Sequence, residues 1–505
     1  MIQDHARRDP AGLALDDGVR RRSWAELADR AARGAHLFRG ALGLREGDHA
    51  ALLLGNRAEA VELVHAAIQA GIWLTPVNTH LSAEEVAYVL ADSGAKALIV
   101  DDEHAHLAAG TPVAATLRAG EELERALAAA SDAPLPLAGP AGGIMLYTSG
   151  TTGHPKGVKR RRAASLGEAL AGQERYGRSI RLDGSGPHLV TGPLYHAAPL
   201  MFAVYDQQCG APLLVMPRFE ERALLRLVAE RAIAHTHLVP TMFVRLLRLP
   251  EEERARFDPR PLRAVLHGAA PIAPSVKQRM IEWWGPVLVE YWGGSEGGVT
   301  TLVDSAEWLA HPGTVGRALP HYEVFAVDAE GRRLPPGQEG RLFSRHRAEA
   351  RLFEYHAARE KTQGAYLPDD PHAFTLGDVG CVDEAGFVFL ADRESNMIIT
   401  GGVNVYPQEV ERVLAEHPSV ADVAVFGIPD DEWGERVKAA VELAPGCAAA
   451  PELEAAILAF ARERLAGFKV PRSIDFEKTL PRTPAGKLYV RRLRDPYWTG
   501  RARRI

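Results

Sequence analysis

The sequence predicts an α/β protein in which a large N-terminal domain of layered αβ sheets, with a β-rich subdomain, is followed by a small α+β domain. Three observations predict it. Short apolar runs alternate with helix-length amphipathic stretches through the first half, the rhythm of a largely parallel sheet covered by helices. From about Tyr322 the texture changes to short strand pairs joined by turns. The last segment, residues 393–505, carries strands and helices enough for a compact domain of its own, so the boundary falls near Asp392 and the two domains are 1–392 and 393–505.

In order along the chain, Ser23-Trp24-Ala25-Glu26 has the form of a capping box and opens a helix that runs to about Arg39. Ala50–Leu54 reads as a strand, Ala58–Ala70 as a helix, Trp73–Pro76 as a strand, Ser82–Ser93 as a helix and Ala97–Val100 as a strand. The pattern resumes with strands near Leu213–Met216, His237–Val239 and Ala264–Leu266, with Glu221–Arg231 as an intervening helix. Asp328-Ala329-Glu330-Gly331 and Asp383-Glu384-Ala385-Gly386 are turn sequences and predict hairpins. In the last segment Val423–Gly427 and Ala439–Glu442 read as strands, Pro407–Glu416 and Pro451–Leu465 as helices. The Ala/Pro-rich stretch 128–143 reads as a surface loop.

Composition bounds the function. With 505 residues the chain has room for two to four domains, and 46% hydrophobic with 25% charged residues is the balance of a globular protein. The net charge of −6 arises from 59 basic and 65 acidic side chains mixed along the chain, which disfavours nucleic acid as a partner. Cys209, Cys381 and Cys447 are far apart and form no CxxC pair, which argues against a disulfide framework or a thiolate metal site and suits the cytoplasm. The first residues have no apolar signal core, and the most apolar early stretch is interrupted by His65, Gln69 and Pro76, so no transmembrane segment is expected.

The densest chemical signal is Thr148-Ser149-Gly150-Thr151-Thr152-Gly153-His154-Pro155-Lys156-Gly157, which follows an apolar lead-in. Glycines let backbone N–H groups turn toward an anion, hydroxyls add donors and lysine adds charge, so a polyphosphate is the natural ligand. A Walker A loop requires Gly-Lys-Ser/Thr, whereas His154-Pro155 separates Gly153 from Lys156 here.

With that segment and four further motifs in order and spacing over nearly the whole chain, the sequence resembles the adenylate-forming superfamily of acyl-CoA synthetases, peptide-synthetase adenylation domains and luciferases. The resemblance implies ATP, Mg²⁺ and coenzyme A as cofactors, and a C-terminal domain that rotates. In Trp292-Gly293-Gly294-Ser295-Glu296 it implies that Trp292 stacks on adenine, Ser295 touches the α-phosphate and Glu296 holds Mg²⁺; Trp and Ser replace the usual Tyr and Thr but keep a π face and a hydroxyl. In Gly377-Asp378 it implies a carboxylate on the ribose hydroxyls, and in Asp392-Arg393-Glu394-Ser395 a hinge whose Arg393 reaches ribose and phosphate. Gly401-Gly402 matches the glycine loop of the pantetheine tunnel, and Lys487, within Leu480-Pro481-Arg482-Thr483-Pro484-Ala485-Gly486-Lys487, matches the catalytic lysine.

For the acid itself, His196 in Pro193-Leu194-Tyr195-His196 matches a position near the acyl carboxylate and thiol path. Gly268-Ala269 in His267-Gly268-Ala269-Ala270 matches the loop beside adenine and the acyl pocket. Small residues at Ala197, Ala198, Ala269 and Ala270, with no carboxylate nearby to hold an ammonium group, suit a fatty, alicyclic or aromatic acid. The expected activity is therefore an acyl-CoA synthetase, forming acyl-AMP and pyrophosphate, then acyl-CoA and AMP. Delivery to a carrier-protein thiol is the alternative. A serine hydrolase is the third reading, because Gly293-Gly294-Ser295-Glu296-Gly297 also satisfies G-x-S-x-G and His311, His346 and His372 follow it. His235-Thr236-His237 resembles a metal pair only superficially, since its apolar flanks favour a strand. Oligomeric state is open, with a homodimer among the alternatives.

Overall fold

The computed structural model describes residues 1–505 apart from 112, 149–154, 394–395, 401–402, 431–432, 483–487 and 500–505; Arg393 is described by its backbone. Ser23 caps the helix Trp24–Arg39: its hydroxyl accepts from Glu26 N and the Glu26 carboxylate accepts from Ser23 N, a reciprocal box that stabilises the helix by about 1 kcal/mol. Ser82 and Glu85 repeat the device at Ala83–Ser93. The helix Ala58–Ala70 is buried on every side, its Glu59 paired with Arg57, its Glu62 with Arg22 and Arg30, and its His65 with Gln207.

Two large sheets build the N-terminal part. The first has seven strands: Phe353–Tyr355, Lys156–Arg160, Gly143–Thr148, Trp73–Pro76, His49–Leu53, Ala95–Val100 and Ala115–Arg118, in that spatial order. The second has fifteen. Its parallel half runs Leu13–Asp16, Leu213–Val215, His188–Val190, His235–Leu238, Ala264–His267 and Leu288–Gly294. From Leu288–Gly294 onward the pairing turns antiparallel, through Gly298–Asp304, Thr314–Ala318, Phe387–Arg393 and Asp378–Val382, which is the β-rich part. Both expected turns are present. Asp383 to Gly386 joins Asp378–Val382 to Phe387–Arg393, and Gly331 N donates to Asp328 O just beyond Tyr322–Val327.

The parallel strands read as continuous apolar runs because helices cover both faces. The exceptions are instructive. His188 and His235, on neighbouring strands, both meet the buried Asp206 carboxylate, at 3.0 and 2.8 Å, and His237 meets the Tyr291 hydroxyl at 3.1 Å. These histidines satisfy buried partners, and no group of three or more metal-ligating side chains exists among the described residues.

A third sheet is built only of residues beyond 397: Val403–Val405, Ile398–Thr400, Gly434–Leu443 and Val420–Asp430, with Ile474–Glu477 alongside. The helices Pro407–Leu414 and Pro451–Arg462 pack on it around Val410, Leu414, Val425, Val441 and Ile457. Between Phe387–Arg393 and this unit, the buried Asp392 carboxylate accepts from Gln408 N at 2.9 Å and from the Asn396 side chain at 3.3 Å. The Arg248 guanidinium adds a second link, donating to Ala421 O at 2.9 Å.

Beside this junction the Glu411 carboxyl is half-buried, and desolvation pushes it up to about 8, only partly offset by the Val425 N–H from which it accepts at 2.8 Å. Below the ordinary value of 4.5 the group is protonated folded and unfolded alike, and its stabilising contribution is complete; the contribution is lost as pH rises through about 8. Glu411→Gln keeps an acceptor for Val425 and removes the titration. Its melting temperature is expected to match the parent's in acid and to exceed it increasingly from pH 4.5 to 8, as read by thermal unfolding across that range. A constant offset would remove Glu411 from this role.

Candidate active site

The carboxyl ends of parallel strands, where a sheet changes direction, are where ligands bind in open α/β sheets. Leu288–Gly294 is the last parallel strand, and it folds straight back. Gly294 pairs with Gly298, and Ser295, Glu296 and Gly297 form the tip of the hairpin between them. Three glycines make this possible. A β-carbon on Gly293 would lie 1.9 Å from Gly298 O, one on Gly297 2.4 Å from the Phe374 ring, and Gly298 takes a φ of +75°. A nucleophile elbow needs strand, turn and helix; here strand follows turn, so the G-x-S-x-G match lacks its structural context. The histidines invoked for that reading are engaged elsewhere: His311 stacks on Phe387 at 3.9 Å, His346 contacts Tyr322 at 5.1 Å, and His372 Nδ1 lies 3.1 Å from His346 O.

Trp292 precedes the tip. Its indole is only 6% exposed and donates to Asp378 Oδ2 at 2.8 Å, while its carbonyl accepts from Thr300 Oγ1 at 3.0 Å. Asp378 is brought there by the pairing of Asp378–Val382 with Phe387–Arg393, in which Asp378 stands opposite Arg393. Thus Trp292, Asp378 and the Arg393 backbone, separated by up to 101 positions, form one wall. The indole–carboxylate bond is a feature that sequence reasoning did not anticipate.

On the next strand, a β-carbon at Gly268 would sit 2.7 Å from Tyr291 O, so the chain lies flush against the wall. Ala269 follows in a left-handed conformation, φ +65°, which costs a non-glycine residue roughly 1–2 kcal/mol. His196 caps the helix Ala197–Cys209 with its ring 4.5 Å from Tyr195.

The opposite wall comes from the seven-stranded sheet. Thr148 and Lys156 face each other across the antiparallel pair Gly143–Thr148 and Lys156–Arg160, and the residues between them connect the two strand ends. The ends are anchored: Tyr147 donates to Asp92 at 2.6 Å and Tyr88 to Pro155 O at 3.2 Å. The two sheets converge on Glu296, whose Oε1 accepts from Tyr355 at 3.0 Å. Lys361 lies 4.6 Å over the Tyr355 ring; partial burial and the charge of Lys156 lower its pKa, and Glu296 raises it in compensation. Lys156, Lys361 and Glu296 therefore share one electrostatic neighbourhood, of which Lys361 and Tyr355 lay outside every motif. No spacing rule could have found them.

Ser149, Gly150, Thr151, Thr152, Gly153, Gly401, Gly402 and Lys487 lie outside the described residues. The flanks of the last are described. Arg482 pairs with Leu488 across an antiparallel bridge, Tyr489 N donates to Pro481 O, and the Arg482 guanidinium grips Asp422 through two bonds of 2.6 and 2.7 Å. The segment that carries Lys487 is thus tethered at both ends.

The chemistry this arrangement can do is recognition of a nucleoside polyphosphate: a carboxylate and an indole in one wall, a hydroxyl and a carboxylate at a hairpin tip, and two lysines opposite. Comparison with known proteins agrees. The profile of the AMP-binding enzyme family matches residues 2–351, and that of the AMP-binding enzyme C-terminal domain matches residues 409–487. The chain is 32% identical to a fatty acid–[acyl-carrier-protein] ligase of Streptomyces coeruleorubidus, over 99% of this chain and 96% of the relative. It is 34% identical to a feruloyl-CoA synthase of an Amycolatopsis species, over 96% and 95%. The ATP-bound crystal structure of MatB from Rhodopseudomonas palustris superposes with a TM-score of 0.84 at 29% identity, covering 96% of each chain. This chain therefore belongs to the AMP-binding enzyme family, as an AMP-forming acid–thiol ligase of the adenylate-forming superfamily that uses ATP.

Proposed function

We propose that the protein condenses a carboxylic acid with ATP to give an acyl-adenylate and pyrophosphate, and then transfers the acyl group to the thiol of coenzyme A. The observation that carries this reading is the meeting of the two sheets at Glu296, where Tyr355 donates to its carboxylate and Lys361, on the helix Arg359–Gly364, lies over the Tyr355 ring, beside the Trp292–Asp378 wall. In the first step two anions meet, the carboxylate and the α-phosphate, so catalysis is chiefly electrostatic positioning. Thr148 to Lys156 hold the β- and γ-phosphates, Ser295 the α-phosphate, Asp378 and Arg393 the ribose, and Trp292 with Gly268, Ala269 and Gly293 the adenine. Lys487 bridges the attacking carboxylate and the α-phosphate.

The donor set suits Mg²⁺. Glu296 offers hard carboxylate oxygen next to the phosphate-binding strands, and no further carboxylate cluster stands among the described residues, so the ion would be held by Glu296, phosphate oxygens and water, its usual arrangement in nucleotide sites. When bound it neutralises charge on the departing pyrophosphate.

For the second step, residues 1–392 form the ATP- and acid-binding domain and residues 393–505 a mobile domain that rotates about Asp392. That rotation withdraws Lys487 and brings Gly401-Gly402 to the thiol path, past His196. Accordingly Gly402→Leu is expected to slow acyl-CoA formation by about 100-fold, the cost of misplacing a reacting group by an ångström, while acid-dependent pyrophosphate exchange stays near the parent rate. Equal loss of both half-reactions would refute the alternation.

A second reading is favoured by one finding, the carrier-protein ligase among the relatives: the acyl group would then pass to a carrier-protein thiol. Coenzyme A consumption dependent on acid decides between them. The acid is fatty, alicyclic or aromatic, which the small residues at Ala197, Ala198 and Ala270 support. The setting is the cytoplasm, supported by three separate free thiols and by the absence, among the described residues, of any helix long and apolar enough to cross a membrane.

A further inference from the structure

Asn56 stands just beyond the strand His49–Leu53 of the seven-stranded sheet, and its carboxamide reaches across to the other sheet. The side-chain nitrogen donates to Gly192 O and to Met216 O, each at 2.9 Å, and the side-chain oxygen accepts from Leu194 N at 2.8 Å. Gly192 and Met216 follow the neighbouring parallel strands His188–Val190 and Leu213–Val215. One amide thus ties together the carboxyl ends of three strands from two sheets, the place where open α/β sheets take their ligands. Asn56 is itself braced on either side: Gly55 N donates to Asp101 Oδ2 and Ala58 N to Asp17 Oδ2, both at 2.8 Å.

The segment that Asn56 grips is the one that carries His196. His196 N donates to Pro193 O at 3.1 Å, Leu200 N donates to His196 O at 3.2 Å, and the Tyr195 hydroxyl lies 3.2 Å from His80 Nδ1. A β-carbon on Gly192 would lie 2.7 Å from Pro199 Cγ, so the start of the segment packs flush on the first turn of the helix Ala197–Cys209 and the two form one unit. Behind the segment the packing is incomplete, because Leu54, Val64 and Val77 leave an apolar crevice against Leu194 and Tyr195. Close packing by itself fixes a chain only where no such room is left, so here the directed bonds of Asn56 set the position. An amide is what the place requires. Two carbonyl oxygens need donors and one N–H needs an acceptor; asparagine supplies both from one planar group, whereas a carboxylate has no donor and alanine has neither.

Resting on the adenylation reading above, we infer that Asn56 is a positioning residue for the acid: it touches no substrate atom but holds residues 192–196, and with them His196, where the acid's carboxylate and the incoming thiol meet. ATP rests on other parts, Trp292, Asp378 and the strand ends Thr148 and Lys156. Loss of the amide is therefore felt by the acid and not by the nucleotide.

The test is ATP-dependent pyrophosphate release from the full-length protein, with whichever of hexanoate, cyclohexanecarboxylate and benzoate the parent activates fastest. Asn56→Ala is expected to raise KM for the acid by about 10- to 100-fold, the cost of a misplacement of up to an ångström, while KM for ATP stays within about twofold and ATP still raises the melting temperature. Asn56→Asp supplies a readout that mere loosening does not move. Its carboxylate is repelled by the Gly192 and Met216 carbonyl oxygens, but once protonated it donates to one of them while its other oxygen accepts from Leu194 N. The kcat/KM for the acid in Asn56→Asp, taken relative to Asn56→Ala, should therefore climb as pH falls from about 8 to about 6. The ionisable groups on the surrounding elements are Arg57, Asp101 and His104 on the side of Asn56, His80 and His196 on the side of the segment, and Arg218 beyond Met216; both variants keep them all, so the ratio isolates the new carboxyl. Parental KM for the acid in Asn56→Ala, an equal rise in both KM values, or a ratio that is flat with pH would overturn the assignment. Should Asn56→Ala fail to respond to ATP, the pH dependence of Asn56→Asp relative to the parent decides. Failure of all three acids to release pyrophosphate from the parent would instead sink the adenylation reading, and this inference with it.

Discussion

Lys487→Ala is expected to abolish adenylate formation, lowering acid-dependent pyrophosphate exchange by about 100- to 1,000-fold or more, the range for losing one preorganised donor at developing charge. The ammonium is made useful only when carboxylate oxygen and α-phosphorus approach, so kcat should fall while ATP binding persists. The flanks Arg482 and Leu488 are held by Asp422 and by backbone pairing, so the substitution removes a charge without releasing the segment. Preformed acyl-adenylate should still be converted to thioester by this variant, because in the proposed mechanism the second step does not use the ammonium. Exchange at the parent rate would mean that the lysine is a surface charge.

Glu296→Gln should have the next largest effect. The amide oxygen can still accept from Tyr355, so the hairpin tip keeps its shape, but one negative charge facing two lysines is gone. Mg-dependent turnover is expected to fall by about 100-fold, with a higher Mg²⁺ concentration needed for half-maximal rate. Metal-free ATP should bind the variant more tightly than the parent, since Lys156 and Lys361 are no longer opposed. These two shifts have opposite signs, which a merely unfolded or loosened variant cannot produce. If neither moves, Glu296 is not the metal position.

Much of the fold was legible because its signals are local. The helix Ala58–Ala70, the strand Trp73–Pro76 and the helix Glu221–Arg231 were read with their observed bounds, since apolar runs, caps and periodicity are set within a dozen residues. The strands Ala50–Leu54 and Ala97–Val100 begin one and two residues earlier than read, because His49 and Ala95 pair with neighbours that the sequence does not reveal. The motifs were legible too, as runs of glycine, hydroxyl and charge that have no structural economy unless a ligand is present.

What the sequence by itself determined is the list of parts: the Thr148 to Lys156 segment, Ser295 and Glu296, Asp378, Gly401-Gly402 and Lys487, in an order that marks the family. Only the tertiary structure decided which parts meet. The Trp292 indole on Asp378, the Tyr355 hydroxyl on Glu296 and Lys361 over the Tyr355 ring each join residues from separate elements. Hydrogen bonding and charge act over a few ångströms of space whatever the distance along the chain, and sheet pairing is what converts the one into the other.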